Sequence, residues 1–435
     1  MTATRQTTAE LAARHTAVLP QWVTPSYRSP IALVSGSGRH VVDADGHRYL
    51  DFFAGVLTNM VGYAIPEIVE ALERRLRTGI IHSSTAYLIE PQIQLAERIA
   101  ALTGIPGAKV YFTNSGSESV DAALLLATAH RRSGQVLALR NSYHGRTFAA
   151  VSVTGNTAWR PTDRTPLTVT FLPGYAKTTA DRHLSDAEFT RRSLQEAQLV
   201  LDSATGPRIA AVIAEPIQGV GGFSVPTPDW FTGLSRLLEP TGCLFIADET
   251  QTGWGRTGDT FWAFEYEGLT PDLITFAKGL GNGLAVGGVA GRPDVIDCLG
   301  AGSTSTFGGN HLAMTGALAV LDYVQAHGLQ ANAAHLGGQM LRRLTDGTAG
   351  MPAVADVRGR GLMIGLELID PESGRPAPDL AAAVHEACRD RGLLIGRGGL
   401  YANALRIGPP LSLTPEEADD GTTRLLDALH AVTPR

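Results

Sequence analysis

Short runs of consecutive apolar residues alternate with longer segments of helical periodicity through the middle of the chain. Five of these runs predict strands that are buried on both faces: AKVYF, QVLAL, IAAVIA, CLFIA and DLITF. The segment SESVDAALLLATAHRR, which follows the first run, has the apolar spacing of a helix. Strands that alternate with helices indicate βαβ units. The pattern therefore predicts an α/β fold with a mostly parallel central sheet.

The two ends of the chain show a different pattern. Near the N-terminus, GRHVVDADGHRYLDFF predicts a hairpin around Asp45–Gly46. After about Ala313 the sequence predicts a long helix, the segment VADVRGRGLMIGLELID and a closing helix from Pro415 to Val432. We therefore expect residues 1–62 and 314–435 to form one small α+β domain, packed against a large domain of residues 63–313.

Polar residues stand where the five predicted strands end. In parallel sheets, ligands bind beyond the carboxyl ends of the strands, where side chains from several strands meet. The polar residues at these five ends are Ser115, Tyr143, Glu215, Asp248 and Lys278. The sequence therefore predicts a ligand site at one edge of the sheet.

The composition excludes several classes of function. The chain has 435 residues, 44% of them hydrophobic, and a net charge of −6, so it has no basic surface for nucleic acid. It contains no run of 18 apolar residues, so we expect no membrane span. Its three cysteines are far apart and lack metal-ligand spacing, which predicts reduced thiols and no metal site. The polar N-terminus does not resemble a secretion signal, and we expect a cytoplasmic protein.

The segment PDLITFAKGLGNG places a lysine at the end of an apolar run. Lys278 is one of only three lysines, with Lys109 and Lys177, whereas 33 of the 36 basic residues are arginines. Arginine can replace lysine as a surface cation but not as an amine nucleophile, because it is not deprotonated in proteins. An amine removed from water has a lowered pKa and can condense with a carbonyl group. A solvated strand-end cation is the alternative, and the scarcity of lysine favours the nucleophile.

Asp248 ends the apolar run LFIAD. A carboxylate at this position could cap the next helix, or it could keep a pyridine nitrogen protonated, as a pyridoxal cofactor requires. An apolar strand that ends in Asp-Glu also resembles the magnesium-binding strand of nucleotide triphosphatases. That alternative needs a G-x-x-x-x-G-K-[ST] loop, which the sequence lacks.

Two further segments complete the candidate chemistry. In TNSGSES, Ser115 or Ser117 could simply cap a helix, but Gly116 and Ser117 could also present backbone N–H groups and a hydroxyl to a phosphate. In SYHGRT, Tyr143 offers an aromatic face for a flat cofactor and Arg146 a planar cation. We expect His144 to pack or to donate a hydrogen bond beside the ring.

Seven motifs in this order resemble the class III, or ornithine/GABA-type, aminotransferases that depend on pyridoxal phosphate: NSGSES, YHGRT, EPIQG, IADETQTGWGRTG, AKGLGNG, TSTFGGN and LRIGPPL. The resemblance covers roughly residues 30–430. It implies a fold-type I transferase, with a large cofactor-binding domain and a small domain made from both chain ends. It also implies an obligate homodimer with active sites at the subunit interface.

The resemblance implies a role for each candidate residue. Lys278 would hold the cofactor covalently and transfer the substrate proton, and Asp248 would pair with the ring nitrogen. Gln251 would bind near the phenolic oxygen, and Glu215 would order the site. Thr306 would reach the phosphate of the neighbouring subunit. The cofactor-binding set is thus Ser115, Gly116, Ser117, Tyr143, His144, Glu215, Asp248, Gln251, Lys278 and Thr306, with Lys278 and Asp248 catalytic.

Departures from the family pattern bear on the substrate. Ser117 stands where the family usually has Thr, and GYAIP (residues 62–66) replaces the usual G-H-x-H-P. Arg146 and Arg406 match two arginines that can bind substrate carboxylates. Ornithine- and GABA-type members usually carry a glutamate at the position of Val220, which neutralises the equivalent of Arg406. A valine at this position also resembles the pattern of members that use alanine with glyoxylate or pyruvate, although those members tend to lack an arginine like Arg146.

We therefore expect an aminotransferase that moves an amino group from an amino acid or amine to a 2-oxo acid by a ping-pong mechanism. The two arginines favour 2-oxoglutarate as the acceptor, with pyruvate or glyoxylate next. A lyase, decarboxylase, mutase or racemase of the same family is the alternative, because the motifs are shared. A non-catalytic binding protein is disfavoured, since Lys278 and Asp248 are both present. The sequence leaves the amino donor open.

Overall fold

The computed structural model describes residues 6–206 and 208–433, which form three β-sheets and the helices around them. The strands are β1 (Leu33–Ser37), β2 (His40–Asp43), β3 (Arg48–Asp51), β4 (Lys109–Thr113), β5 (Gln135–Leu139), β6 (Thr168–Leu172), β7 (Ala211–Ala214), β8 (Leu244–Asp248), β9 (Leu273–Phe276), β10 (Gly287–Gly291), β11 (Val354–Arg360), β12 (Met363–Leu368), β13 (Leu393–Leu394), β14 (Gly396–Gly398) and β15 (Ala404–Ile407).

The α-helices are α1 (Thr8–Val18), α2 (Ala54–Leu57), α3 (Pro66–Arg77), α4 (Glu90–Leu102), α5 (Gly116–Arg131), α6 (Phe148–Ser152), α7 (Asp186–Ala204), α8 (Trp230–Leu238), α9 (Ala263–Tyr266), α10 (Pro293–Ile296), α11 (His311–Ala326), α12 (Leu329–Gly347), α13 (Pro378–Asp390) and α14 (Pro415–Val432). Short 3₁₀ helices span Thr157–Trp159, Thr179–Asp181, Glu239–Thr241 and Lys278–Gly281. In the part of the chain that the structure describes, no helix combines the length and the apolar character needed to cross a lipid bilayer.

The central sheet has seven strands in the order β4-β10-β9-β8-β7-β5-β6. All neighbouring pairs are parallel except the two made by β10, which runs antiparallel to β4 and β9. The prediction of an α/β fold with a mostly parallel sheet is confirmed, and all five predicted strands are present. The sequence analysis missed β6, a partly exposed edge strand, and β10, whose glycine-rich sequence GGVAG lacks a strand pattern.

The carboxyl ends of the five predicted strands lie at one edge of this sheet. Since β10 is antiparallel to both β4 and β9, β4 and β9 run in the same direction, as do β5, β7 and β8. A large apolar cluster extends from Phe112 and Phe276 in the central sheet to Ile364 and Leu405 in the C-terminal sheet. The predicted ligand edge is therefore supported by a core that includes more than one sheet.

The other two sheets have four strands each, in the orders β1-β2-β3-β13 and β11-β12-β15-β14. The predicted hairpin is formed by β2 and β3, with Val41 opposite Tyr49. Because β13 pairs with β3, both chain ends contribute to one sheet. The division into residues 1–62, 63–313 and 314–435 stays a prediction, and residues 1–5 and 434–435 of those ranges lie outside the described residues.

A left-handed turn follows β3. The φ angles of the four residues of α2, Ala54, Gly55, Val56 and Leu57, are +48°, +61°, +64° and +65°. Only glycine adopts this conformation without a steric penalty, and a β-branched residue such as Val56 is the least suited to it. The turn is therefore strained, and the surrounding contacts must hold it.

Replacing Val56 with glycine is expected to stabilise the protein. Val56 is 36% exposed, so the substitution removes a partly buried side chain, and relief of the left-handed conformation has to exceed that loss. We expect the free energy of unfolding to rise by about 1 kcal/mol, measured by denaturant or thermal unfolding. Val69, which is 42% exposed in the right-handed α3, is the matched control, and Val69→Gly should destabilise. An equal loss of stability in both variants would contradict the prediction.

Candidate active site

A cavity of about 190 Å³ lies at the carboxyl edge of the central sheet. Nine residues that the sequence analysis assigned to cofactor binding line it: Ser115, Gly116, Ser117, Tyr143, His144, Glu215, Asp248, Gln251 and Lys278. Gly145 and Thr250 also line the cavity and were missed, although both lie within the quoted motifs. The topology thus brings together residues that are up to 163 positions apart in the chain, from Ser115 to Lys278.

Lys278 follows β9 and begins a 3₁₀ turn. Its φ of +44° is in the left-handed region, which is unusual for a residue with a long side chain and typical of functional positions. Burial lowers the pKa of its amine from 10.5 to about 8; the charge of Asp248 opposes this shift, and that of Arg406 adds to it. A substantial fraction of the amine is therefore neutral near pH 8.

Asp248, at the end of β8, is a buried carboxylate with three hydrogen-bond donors. The His144 ring lies with Nδ1 2.7 Å from its Oδ2, while the Thr275 hydroxyl (3.0 Å) and the Thr250 N–H (3.2 Å) donate to Oδ1. Burial raises its pKa, but His144 and Thr250 together outweigh that effect and hold the pKa of Asp248 below its usual value. An ionised carboxylate can only accept, so the proton of His144 lies on Nδ1.

Glu215 connects two loops of the site. Its Oε1 accepts the Tyr143 N–H at 2.9 Å, and its Oε2 accepts the Gly219 N–H at 2.8 Å. Burial raises the pKa of Glu215 to about 7, and the charge of His144 opposes the shift. This carboxyl group therefore holds the loop that carries the Tyr143 ring against the loop that contains Gly219.

The N-terminus of α5 forms one end of the cavity. The Ser115 hydroxyl caps this helix by accepting the Glu118 N–H at 3.2 Å. Among the described residues, no acceptor pairs with the N–H groups of Gly116 and Ser117. Gly145, at φ +130°, lies so close to Ser117 that a Cβ on Gly145 would be 2.6 Å from the Ser117 Oγ. A helix N-terminus with free N–H groups and a close glycine backbone fits a phosphate group.

Three cavity-lining residues carry a buried polar atom that lacks a hydrogen-bond partner among the described residues: His144 Nε2, Thr250 Oγ1 and Gln251 Oε1. Buried polar atoms normally have partners, so these atoms indicate a polar ligand. A nucleophilic amine, an ionised carboxylate and an anion-binding helix terminus surround the same small cavity. These residues fit pyridoxal phosphate, with its aldehyde, ring nitrogen and phosphate.

Arg406 lies on β15 of the C-terminal sheet and is 4% exposed. Its Nε donates to the Arg397 carbonyl (2.9 Å) and its Nη1 to the Gly219 carbonyl (3.3 Å), while the rings of Phe53 and Phe223 lie 5.2 and 5.5 Å from the guanidinium carbon. Burial lowers its pKa to about 10. Within residues 6–206 and 208–433, no carboxylate forms an ion pair with it.

Val220 is buried, and its carbonyl accepts the Gly399 N–H at 2.8 Å. The position of the expected glutamate is thus occupied by an apolar side chain on the loop that holds Arg406. Sequence analysis missed Phe53 and Phe223, because nothing in the local sequence indicates which aromatic rings reach a distant arginine.

Arg146, Arg406 and Thr306 are not among the residues that line the cavity, although the charge of Arg406 lowers the pKa of Lys278. Arg146 is exposed, and its guanidinium carbon lies 5.1 Å from the centre of the Trp22 ring. Thr306 is also exposed, in the loop before α11. The role expected for Thr306 concerns a second subunit and stays a prediction.

The fold and the site define a class of protein. A mostly parallel sheet with a buried lysine, an ionised aspartate and free N–H groups of a helix terminus at its carboxyl edge is typical of fold-type I pyridoxal-phosphate enzymes. The family model "Aminotransferase class-III" matches residues 23–429. The chain belongs to the class-III aminotransferases, a family of transferases that depend on pyridoxal phosphate.

Two curated relatives illustrate the range of the family. The mitochondrial alanine–glyoxylate aminotransferase 2 homolog 2 of Arabidopsis thaliana is 36% identical over 401 residues, which cover 90% of this chain and 81% of the relative. An alanine/serine racemase of Pyrococcus horikoshii is 33% identical over 407 residues, which cover 90% of this chain and 84% of the relative.

Two solved structures are similar over nearly the whole chain. A thermostable (S)-enantioselective omega-transaminase from Thermomicrobium roseum superposes with a TM-score of 0.88 at 31% identity, covering 99% of this chain and 100% of the other. A phospholyase from Arthrobacter in complex with phosphoethanolamine superposes with a TM-score of 0.87 at 32% identity, covering 98% of this chain and 100% of the other. The expected resemblance and fold type are confirmed.

Uptake of pyridoxal phosphate by the apoenzyme is expected to accelerate as the pH rises through about 8. Burial lowers the pKa of Lys278, so the reactive neutral amine increases about tenfold per pH unit below that value and reaches a plateau above it. The rate is measured from the absorption of the bound cofactor.

Asp248→Asn is the matched variant for this measurement. The charge of Asp248 raises the pKa of Lys278, so its removal should move the midpoint to lower pH. A midpoint near 10.5, the ordinary lysine value, would show that the amine is solvated and would contradict the prediction.

Proposed function

We propose that this aminotransferase takes its amino group from a donor that bears a carboxylate near the reacting carbon and delivers it to a 2-oxo acid. The proposal rests on the environment of Arg406. Its guanidinium is buried and has no carboxylate partner among the described residues, and its charge lowers the pKa of Lys278. A buried, unpaired cation is costly, and a substrate carboxylate would remove that cost through charge-assisted hydrogen bonds.

The residues of the chain divide the chemistry among them. When bound, pyridoxal phosphate supplies an electron sink for the bonds to the substrate's α-carbon. The Lys278 Nζ, partly neutral near pH 8, would accept the proton from that carbon and deliver it to the cofactor, so that the amino group stays with the cofactor. Asp248 would keep the ring nitrogen protonated, and His144 orients Asp248 by its 2.7 Å hydrogen bond. The face of Tyr143 would stack on the ring, and Gly116 and Ser117 would hold the phosphate.

Arg146 bears on the choice of acceptor. Its guanidinium packs on Trp22 outside the cavity, so an acceptor with one carboxylate needs Arg406 only, whereas 2-oxoglutarate requires Arg146 to turn inward. We therefore place pyruvate or glyoxylate before 2-oxoglutarate, which changes the order expected from the sequence. Val220 supports the same order, because a valine at this position resembles members that use alanine with glyoxylate or pyruvate.

We infer that the enzyme is a homodimer in which Thr306 binds the cofactor phosphate of the partner subunit. The exposure of Thr306, together with the exposed apolar side chains of Leu88 and Phe307, supports this inference. Cys243, Cys298 and Cys388 are all free thiols, which supports a reducing compartment such as the cytoplasm.

A racemase or lyase is the second candidate. The similarity to an alanine/serine racemase and to a phospholyase favours it, because both resemble this chain about as closely as the aminotransferases do. These reactions leave the cofactor in its aldehyde form, whereas the first half of a transamination converts it to the amine form.

Mixing the holoenzyme with L-alanine, without an acceptor, distinguishes the two candidates. We expect the absorption band of the lysine-bound cofactor to disappear in proportion to the pyruvate formed and to return when glyoxylate is added. Lys278→Ala should abolish turnover. A stable band accompanied by D-alanine would establish the racemase instead.

Arg406→Ala is expected to raise the KM for the 2-oxo acid about 10- to 100-fold, because the variant loses the charge-assisted hydrogen bonds to the carboxylate. Arg406→Lys, which keeps the charge but loses the planar fork, should give an intermediate increase. Arg343, whose ion pair with Asp419 is at the surface, is the control, and Arg343→Ala should leave KM unchanged. Steady-state kinetics decide the matter: an unchanged KM in Arg406→Ala removes this residue from the substrate site.

A further inference from the structure

The segment GYAIP, residues 62–66, departs from the family pattern, and the proposed function gives it no role. Its Tyr63 is half-buried, and the Tyr63 hydroxyl donates a 2.5 Å hydrogen bond to Oδ2 of Asp51. The Asn59 amide in turn donates to the Tyr63 oxygen at 3.2 Å. Asp51 is 3% exposed, so this hydroxyl satisfies a carboxylate oxygen that water cannot readily reach.

The other oxygen of Asp51 holds the start of the left-handed turn. Its Oδ1 accepts the N–H groups of Phe53 and Ala54, both at 2.9 Å. The Leu57 N–H closes the turn by donating to the Phe53 carbonyl at 2.9 Å. A backbone in a disfavoured conformation persists only where surrounding contacts determine it. Asp51 supplies these contacts, and Tyr63 fixes the orientation of Asp51.

The turn places the Phe53 ring against the substrate arginine. The ring centre lies 5.2 Å from the Arg406 guanidinium carbon, and the opposite wall is Phe223 at 5.5 Å. Gly396 on β14 leaves room for the ring, since a Cβ at that position would collide with it. Two aromatic rings and two backbone carbonyls thus determine the plane of the guanidinium, which decides whether a carboxylate can bind through two parallel hydrogen bonds.

We propose that Tyr63 is a positioning residue for substrate, which acts through Asp51 and the left-handed turn to hold Phe53 against Arg406. The proposal rests on the proposed function in one respect, namely that Arg406 binds the substrate carboxylate. Tyr63 itself does not line the cavity and touches no reacting atom. Its effect should therefore be on carboxylate binding and not on the chemical step.

Tyr63→Phe removes one oxygen atom and tests the proposal in the holoenzyme. With whichever of pyruvate, glyoxylate and 2-oxoglutarate supports turnover, we expect KM to rise about 5- to 20-fold and kcat to stay within about twofold. The dissociation constant of propionate, an unreactive carboxylate, should rise by the same factor in isothermal titration. The absorption spectrum of the bound cofactor should not change, whereas general loosening of the structure would lower kcat and cofactor occupancy together.

Tyr49→Phe is the matched control. The Tyr49 hydroxyl also donates to a buried aspartate, Asp43, at 2.8 Å, but Asp43 is not part of the left-handed turn. This variant should keep the wild-type KM and the wild-type affinity for propionate. If both tyrosine variants raise KM equally, the effect is not transmitted through Asp51 and the proposal is overturned.

Two further variants keep the test decisive. If Tyr63→Phe does not fold, Phe53→Leu removes the ring but keeps the bond between Tyr63 and Asp51, and the same selective rise in KM is expected. A Tyr63→Phe or Phe53→Leu enzyme that binds propionate and the 2-oxo acid like wild type overturns the proposal. Arg406→Ala distinguishes a failure of the carboxylate assignment from a failure of the positioning role. If it leaves propionate affinity unchanged, the carboxylate assignment fails and this proposal fails with it, whereas a loss in Arg406→Ala but not in Tyr63→Phe refutes the positioning role alone.

Discussion

The Lys278 amine and the Asp248 carboxylate are both removed from water at one edge of the central sheet, and the active site depends on this shared burial. Desolvation favours the neutral amine, while the negative charge of Asp248 limits the fall of the lysine pKa to about 8. The same burial would neutralise Asp248 if His144 and Thr250 did not hold it ionised by donating hydrogen bonds. One cavity can therefore contain an amine that is partly neutral and a carboxylate that is charged.

The cofactor end and the substrate end of the site belong to one hydrogen-bonded network. Glu215 accepts the N–H groups of Tyr143 and Gly219, and the Gly219 carbonyl accepts from Arg406. Because Arg406 lies on the C-terminal sheet and Phe53 follows the N-terminal hairpin, both ends of the chain contribute to the proposed substrate site. The apolar cluster shared by the central and C-terminal sheets keeps these parts in register.

Much of this arrangement can be predicted from local patterns. Apolar runs that end in Asp248 and Lys278 predict buried strands with reactive ends, and parallel strands bring such ends together whatever the details of packing. Nine of the ten predicted cofactor residues line the cavity for this reason. The edge strand β6 and the glycine-rich β10 were missed because neither carries the apolar run that a buried strand normally has.

The sequence by itself determined the α/β class and the strand-end residues that meet at the sheet edge, because these follow from periodicity and from residue chemistry within short segments, and its motifs identified the cofactor through the resemblance to the family. Only the tertiary structure decided that Arg146 packs on Trp22 outside the cavity, that Arg406 is buried between Phe53 and Phe223, and that Tyr63 supports a left-handed turn through Asp51. These contacts join residues that are distant in the chain, and their geometry depends on how three sheets pack. A local pattern of apolar and polar positions does not predict contacts between residues so far apart in the chain.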